Sequence, residues 1–117
     1  MNRLLLAILL LFAVSVQAVD VEAIRTAAEG GNVAAMTTLG GMYHRGLGVP
    51  QSDVEATTWY LLAAGQGHAG AQSIVGMMFL LNGEESQARY WLRRAAAQGD
   101  PAAQRQLDLL RQKPTGE

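Results

Sequence analysis

The sequence predicts an all-α fold, a short α/α solenoid of about six helices stacked in antiparallel pairs. Two observations carry this. Beyond residue 19, apolar residues recur at the three- and four-residue spacing of one helix face, in short segments separated by glycine-bearing turns. Most of the stretch 32–67 also recurs downstream. Ala35, Leu39, Gly40 and Tyr43 return as Ala71, Val75, Gly76 and Phe79, each 36 residues later. Ala56, Trp59, Ala63, Ala64 and Gly67 return as Ala88, Trp91, Ala95, Ala96 and Gly99, each 32 later. Such a period marks a stack of helix pairs, in which no pair can bury its apolar face alone.

Taken in order, the chain opens with a targeting signal. Met1-Asn2-Arg3 is a short positive start, and Leu4–Val14 is an unbroken apolar run of 11 residues. Val16-Gln17-Ala18 offers small or aliphatic residues where a signal peptidase reads, so cleavage after Ala18 is expected and 1–18 is assigned as signal peptide. The alternative, a retained anchor, meets the obstacle that a spanning helix needs about 20 apolar residues. No cysteine follows the run, which excludes an anchor of the bacterial lipoprotein type. The expected location is therefore periplasmic or secreted, with no stable membrane span after cleavage.

The remaining 99 of 117 residues suit one small domain, assigned to 19–112, followed by a polar tail at 113–117. The net charge of the whole chain is −1, and loss of Arg3 with the signal makes it about −2. No strongly basic balance points to nucleic acid. The cysteine count is zero, which excludes disulfides, thiol catalysis and thiolate metal sites. Packing alone must hold the domain together.

Val19–Glu29 reads as a first helix, with Asp20 as N-cap and Val21, Ile24, Ala27 and Ala28 at helical spacing. Gly30-Gly31 ends it. Asn32 caps a second helix running to His44 or Arg45, whose apolar face is Ala35, Met36, Leu39, Met42 and Tyr43. Gly40 and Gly41 lie inside this helix, where each costs up to about 1 kcal/mol relative to alanine. Close approach of a neighbouring helix at Gly40 is the expected offset. Gly46-Leu47-Gly48-Val49-Pro50 makes the turn, and Ser52-x-x-Glu55 forms a capping box. The third helix runs to about Ala64, with Val54, Ala56, Trp59, Tyr60, Leu62 and Ala63 expected mostly on its buried side, and Gly65-Gln66-Gly67 stops it. The second copy repeats this with a shorter turn at Asn82-Gly83, giving helices at 69–81 and 85–97. Full repeats thus span 32–67 and 68–99. Asp100-Pro101 opens a sixth helix to about Gln112, with aspartate at N-cap and proline at N1. Asp108 occupies the place of Gly40 and Gly76, which predicts that no further helix packs there.

The pattern Ala35, Leu39-Gly40, Tyr43, Gly46, Gly48-Val49, Ala56, Trp59, Ala63-Ala64, Gly67 resembles the Sel-one-like repeat, a relative of the tetratricopeptide repeat. The resemblance covers the whole domain after the signal. It implies a right-handed solenoid and protein–protein adaptor work, with a protein or peptide as partner. Some cysteine-rich members are credited with β-lactam binding or hydrolysis. This chain lacks their paired cysteines, so that activity does not carry over. The resemblance also implies which positions line the concave side: Ala34, Thr37, Gly41 and His44 in the first unit, and Gly70, Ser73, Met77 and Leu80 in the second. The last helix adds Ala102, Arg105 and Leu109. An extended or helical segment of another exported protein is the expected occupant. A neutralising or immunity protein against a secreted toxin is the alternative, and a hydrolase such as a cell-wall enzyme is a third.

No residue pattern calls for catalysis, a cofactor or a metal. His44 and His68 belong to different repeat positions and neither fits a metal-ligand spacing. Ser52, Ser73 and Ser86 lie in no G-x-S-x-G elbow. Glu84-Glu85 sits at a helix start, where the dipole favours negative charge. Met36, Met42, Met77 and Met78 read as core packing. Arg89, Arg93 and Arg94 form a basic stripe that reads as a solvated face.

Overall fold

The computed structural model describes residues 2–5, 7 and 21–113. The signal assignment therefore lies largely outside the described residues, as does the tail beyond Lys113; residues 3–5 are helical. From residue 21 the chain forms helix α1 over 21–29. It continues with α2 (Val33–Arg45), α3 (Asp53–Gly65), α4 (Ala69–Leu81), α5 (Glu85–Ala97) and α6 (Pro101–Gln112). The observed bounds of α2 to α6 lie within a residue of those expected.

The close agreement has local causes. Each odd-to-even junction is a glycine with positive φ followed by a residue whose side chain caps the next helix. Gly31, Gly67 and Gly99 have φ of 98°, 95° and 92°. Asn32, His68 and Asp100 then accept from the backbone N–H of Ala35, Ala71 and Ala102. The α2–α3 turn uses Gly46 and Gly48, with φ of 70° and 75°, and Ser52 Oγ accepts from Glu55 N at 3.2 Å. Only half of the expected capping box forms: the Ser52 N–H donates to the Tyr43 carbonyl at 2.9 Å, tying the turn to the end of α2.

Successive helices pack in sequence order, α2 on α3, α3 on α4, α4 on α5 and α5 on α6. Within each pair the contact is made at a glycine. A Cβ built on Gly40 would lie 2.8 Å from Cδ1 and Cε1 of Tyr60. One built on Gly76 would lie 2.7 Å from Cγ of Leu92 and 3.3 Å from the Ala88 carbonyl oxygen. Tyr60 and Leu92 occupy the same repeat position, as do Gly40 and Gly76. Asp108, their counterpart on α6, is exposed and accepts from Gln104 Nε2 at 3.1 Å.

The core divides into two clusters. The first holds Ala28, Met36, Leu39, Ala56, Tyr60, Ala63, Ala64, Ala71 and Val75; the second holds Ala88, Leu92, Ala95 and Ala103. Alanine dominates because helices this close leave room for little else. Two expected core residues of α3 are instead outside. Val54 is 77% and Leu62 46% exposed, because the contacts to α2 and α4 are made by Ala56, Tyr60, Ala63 and Ala64, leaving the opposite side of α3 to solvent. Trp59 and Trp91 are only half-buried and pack against the first cluster from its edge.

An alanine at Gly40 must displace the buried Tyr60 ring. Overpacking of this kind costs about 1–3 kcal/mol, against a helix-propensity gain of up to about 1 kcal/mol. Urea denaturation of Gly40→Ala is expected to show a net loss of about 1–2 kcal/mol. Gly65→Ala, at a position where a Cβ meets nothing within 4 Å, is expected to gain up to about 1 kcal/mol. Equal effects of the two changes would mean that contact at Gly40 is not close.

Candidate functional site

Three helices frame a groove of about 600 Å³. Its floor is Ala56 and Tyr60 of α3 with Ile74 and Met78 of α4. Met77 and Leu81 form the wall on α4, and His44, Arg45 and Asp53 stand at the mouth where α2 turns into α3. Met77 is 37% and Leu81 86% exposed, and four residues apart they present apolar surface on one side of α4. The Tyr60 ring lies across Gly40, with its hydroxyl oxygen 3.4 Å from where a Gly41 Cβ would be. Burial raises the Tyr60 phenol above its ordinary pKa, only partly opposed by the Arg45 charge, so it remains a neutral donor and acceptor. At the mouth, His44 Nδ1 is 3.6 Å from Asp53 Oδ1, which also accepts from Gln51 Nε2 at 2.8 Å. An apolar floor with a polar, mixed-charge rim suits an apolar side chain presented on a peptide.

Of the positions expected to line a binding face, His44 and Met77 border this groove. Gly41 lies behind it, against the Tyr60 hydroxyl. Ala34 and Gly70 are exposed near the starts of α2 and α4. Thr37 Oγ1 is 3.3 Å from His68 Nδ1, bringing α2 to the start of α4. Ser73 is buried, and Leu80 is half-buried against the second cluster. Ala102, Arg105 and Leu109 are exposed on α6. Among the described residues, no three or more His, Cys, Asp or Glu side chains gather where they could hold a metal. Their histidines serve the helix ends: His68 Nδ1 accepts from Ala71 N at 3.1 Å as the N-cap of α4, and His44 sits in the last turn of α2.

Helical spacing alone does not reveal the contribution of α3. It puts Tyr60 in the core, and only the difference between the copies, Leu92 being its counterpart, marks it. Gln72 carries no such sequence signal. It is 1% exposed, its Nε2 donates to the Ala64 carbonyl at 3.2 Å, and its Oε1 accepts from Gln98 Nε2 at 3.0 Å. Gln98 Nε2 also reaches the Gly67 carbonyl at 2.8 Å. These bonds stitch α3, α4 and α5 together at one end. In the preceding unit the equivalent pair is Gln66 and Met36, at 3.7 Å.

Stacked helix pairs with a glycine seat in the first helix and paired alanines in the second define a tetratricopeptide-like solenoid. The family model of the Sel1 repeat matches residues 33–68 and 69–100, and the chain belongs to the Sel1 repeat family. A crystal structure of a Sel1 repeat protein from Oxalobacter formigenes superposes with a TM-score of 0.66 at 38% sequence identity. The match covers 70% of this chain and 66% of that one, just under two thirds of the relative. Proteins built from these repeats are generally protein-interaction modules.

His68 stands where the other first helices have Asn32 and Asp100. Removing its side chain leaves the Ala71 N–H without its partner, so His68→Ala is expected to lose about 1 kcal/mol in urea denaturation. His68→Asn should retain the full stability. Equal losses in both variants would place the role of His68 in its contact with Thr37 instead.

Proposed function

We propose that the chain is an exported, non-enzymatic adaptor. It holds an extended or helical segment of another exported protein along the face bordered by Thr37, Gly41, His44, Gly70, Met77 and Leu80, continued on α6 by Arg105 and Leu109. The observation that carries this is the groove between α2, α3 and α4, where Met77 and Leu81 offer exposed apolar surface beside a polar mouth. Methionine adapts its shape to what it meets, so such a wall takes varied apolar side chains. Membership of a family of interaction modules supports the same reading. Export rests on the N-terminal pattern of Met1 to Ala18. No helix among the described residues is long and apolar enough to cross a membrane.

Met77→Glu and Leu81→Glu place a carboxylate on the wall without touching the core. Each is expected to weaken capture of partners from a periplasmic extract by about ten-fold or more, a loss of about 1.4 kcal/mol, while leaving helical circular dichroism unchanged. Capture as strong as that of the wild type would remove this groove from the binding face.

A further inference from the structure

The last junction of the solenoid holds a second groove, of about 350 Å³, between α5 and α6. Its lining includes Arg89, Arg93 and Ala96 on α5 and Gln104, Leu107 and Arg111 on α6. Repeat arithmetic identifies it. Subtracting one period of 32 gives Thr57, Leu61, Ala64, Gln72, Val75 and Phe79, the α3–α4 junction. The part of that junction lined by Leu61, Val75 and Phe79 leaves only about 70 Å³ open, beside the larger groove that Thr57 and Met78 also line. α5 lies against this junction: Trp91 packs against the cluster containing Ala64 and Val75, and Gln98 bonds to Gln72. At the last junction no helix follows α6 among the described residues. Gln104 accordingly turns to Asp108 on its own helix, and Leu107 is less buried than Val75.

The groove is therefore a seat for one more second-type helix, and its chemistry has been changed. Thr57, Leu61 and Phe79 are replaced at the equivalent positions by Arg89, Arg93 and Arg111. Arg89 is held in place, its Nη2 donating to Glu85 Oε1 at 2.8 Å and to the Leu110 carbonyl at 3.3 Å. Among the described residues, Arg93 and Arg111 have no carboxylate within ion-pairing distance. The two guanidinium groups beside a small apolar floor complement carboxylates around an apolar residue.

We propose that this groove binds an acidic amphipathic helix of a partner protein. Its apolar side chain sits over Ala96 and Leu107, as Trp91 packs against the cluster that holds Ala64 and Val75, and its carboxylates meet Arg93 and Arg111. This surface is separate from the α2–α4 groove and does not depend on what that groove holds.

The test uses the full chain and a dye-labelled synthetic helix of about 16 residues, a length that favours helix formation. It carries one tryptophan among alanines on one face and glutamates at i, i+4 spacing beside it. Fluorescence anisotropy is expected to show binding that weakens as salt rises from about 50 to 300 mM. Arg93→Glu and Arg111→Glu should each weaken it by about ten-fold or more, with circular dichroism unchanged. Arg94→Glu, on the same helix but directed to Tyr90 and Trp91, should stay within about two-fold of the wild type. The proposal is overturned if the lysine version of the peptide binds as well, or if the Arg93 and Arg111 variants bind like the wild type. Loss of binding in Met77→Glu would assign the peptide to the other groove and equally overturn it. So would sedimentation equilibrium showing a self-association that Arg93→Glu abolishes while the peptide fails to bind.

Discussion

Everything in this solenoid depends on a side chain from one helix lying where a Cβ of its partner helix would have been. Tyr60 lies against Gly40, and Leu92 against Gly76. A glycine inside a helix weakens that helix, so the contact has to offset the loss by bringing two backbones close enough for dispersion to accumulate over their whole length. The closeness explains the composition of the core. Ala28, Ala63, Ala64, Ala71, Ala88, Ala95 and Ala103 are all at most 1% exposed, and the larger residues are few. It also explains how a domain of this size folds without a disulfide or a large aromatic core.

The same seat is occupied differently in the two repeats, and the consequence reaches the surface. Tyr60 fills its seat and carries its hydroxyl on to Gly41, becoming the floor of the α2–α4 groove. Leu92 fills its seat completely and is fully buried. The solenoid thus presents unlike surfaces although the backbone repeats. The groove framed by α2, α3 and α4 is apolar with a polar mouth, and the one at the last junction, between α5 and α6, is lined with arginine. Glu85 sustains that last junction by pairing with Arg89 and Lys113, and the hydrogen bond from Arg89 holds its carboxyl below the usual range.

The helices were legible in the sequence because what begins and ends them is local. A positive-φ glycine and a capping side chain act within four residues, so Gly31-Asn32, Gly67-His68 and Gly99-Asp100 mark their boundaries without reference to the rest of the fold. Comparison of the copies made Gly40 and Asp108 legible too. Which face of α3 is buried was not, because α3 is gripped from two directions. The periodicity that placed Val54 and Leu62 inside is the same one that the exposed residues follow. Gln72 could not be recognised as buried, since its burial depends on Ala64, Gly67 and Gln98, contributed by three elements. The arginines of α5 read as one stripe along the sequence. Packing splits them, sending Arg89 and Arg93 to the α6 groove and Arg94 to the rings of Tyr90 and Trp91.

The account rests on the glycine seat being a coupled pair rather than two separate residues. A double-mutant cycle on Gly76 and Leu92 measures this directly by urea denaturation of Gly76→Ala, Leu92→Ala and the double variant. Leu92→Ala alone should cost about 2–5 kcal/mol. It also vacates the space that the alanine at 76 needs, so the double variant should be at least about 1 kcal/mol more stable than the sum of the two losses implies. Losses that add within about 0.5 kcal/mol would show that the two positions do not touch in solution, and would contradict the packing from which the rest of the structure follows.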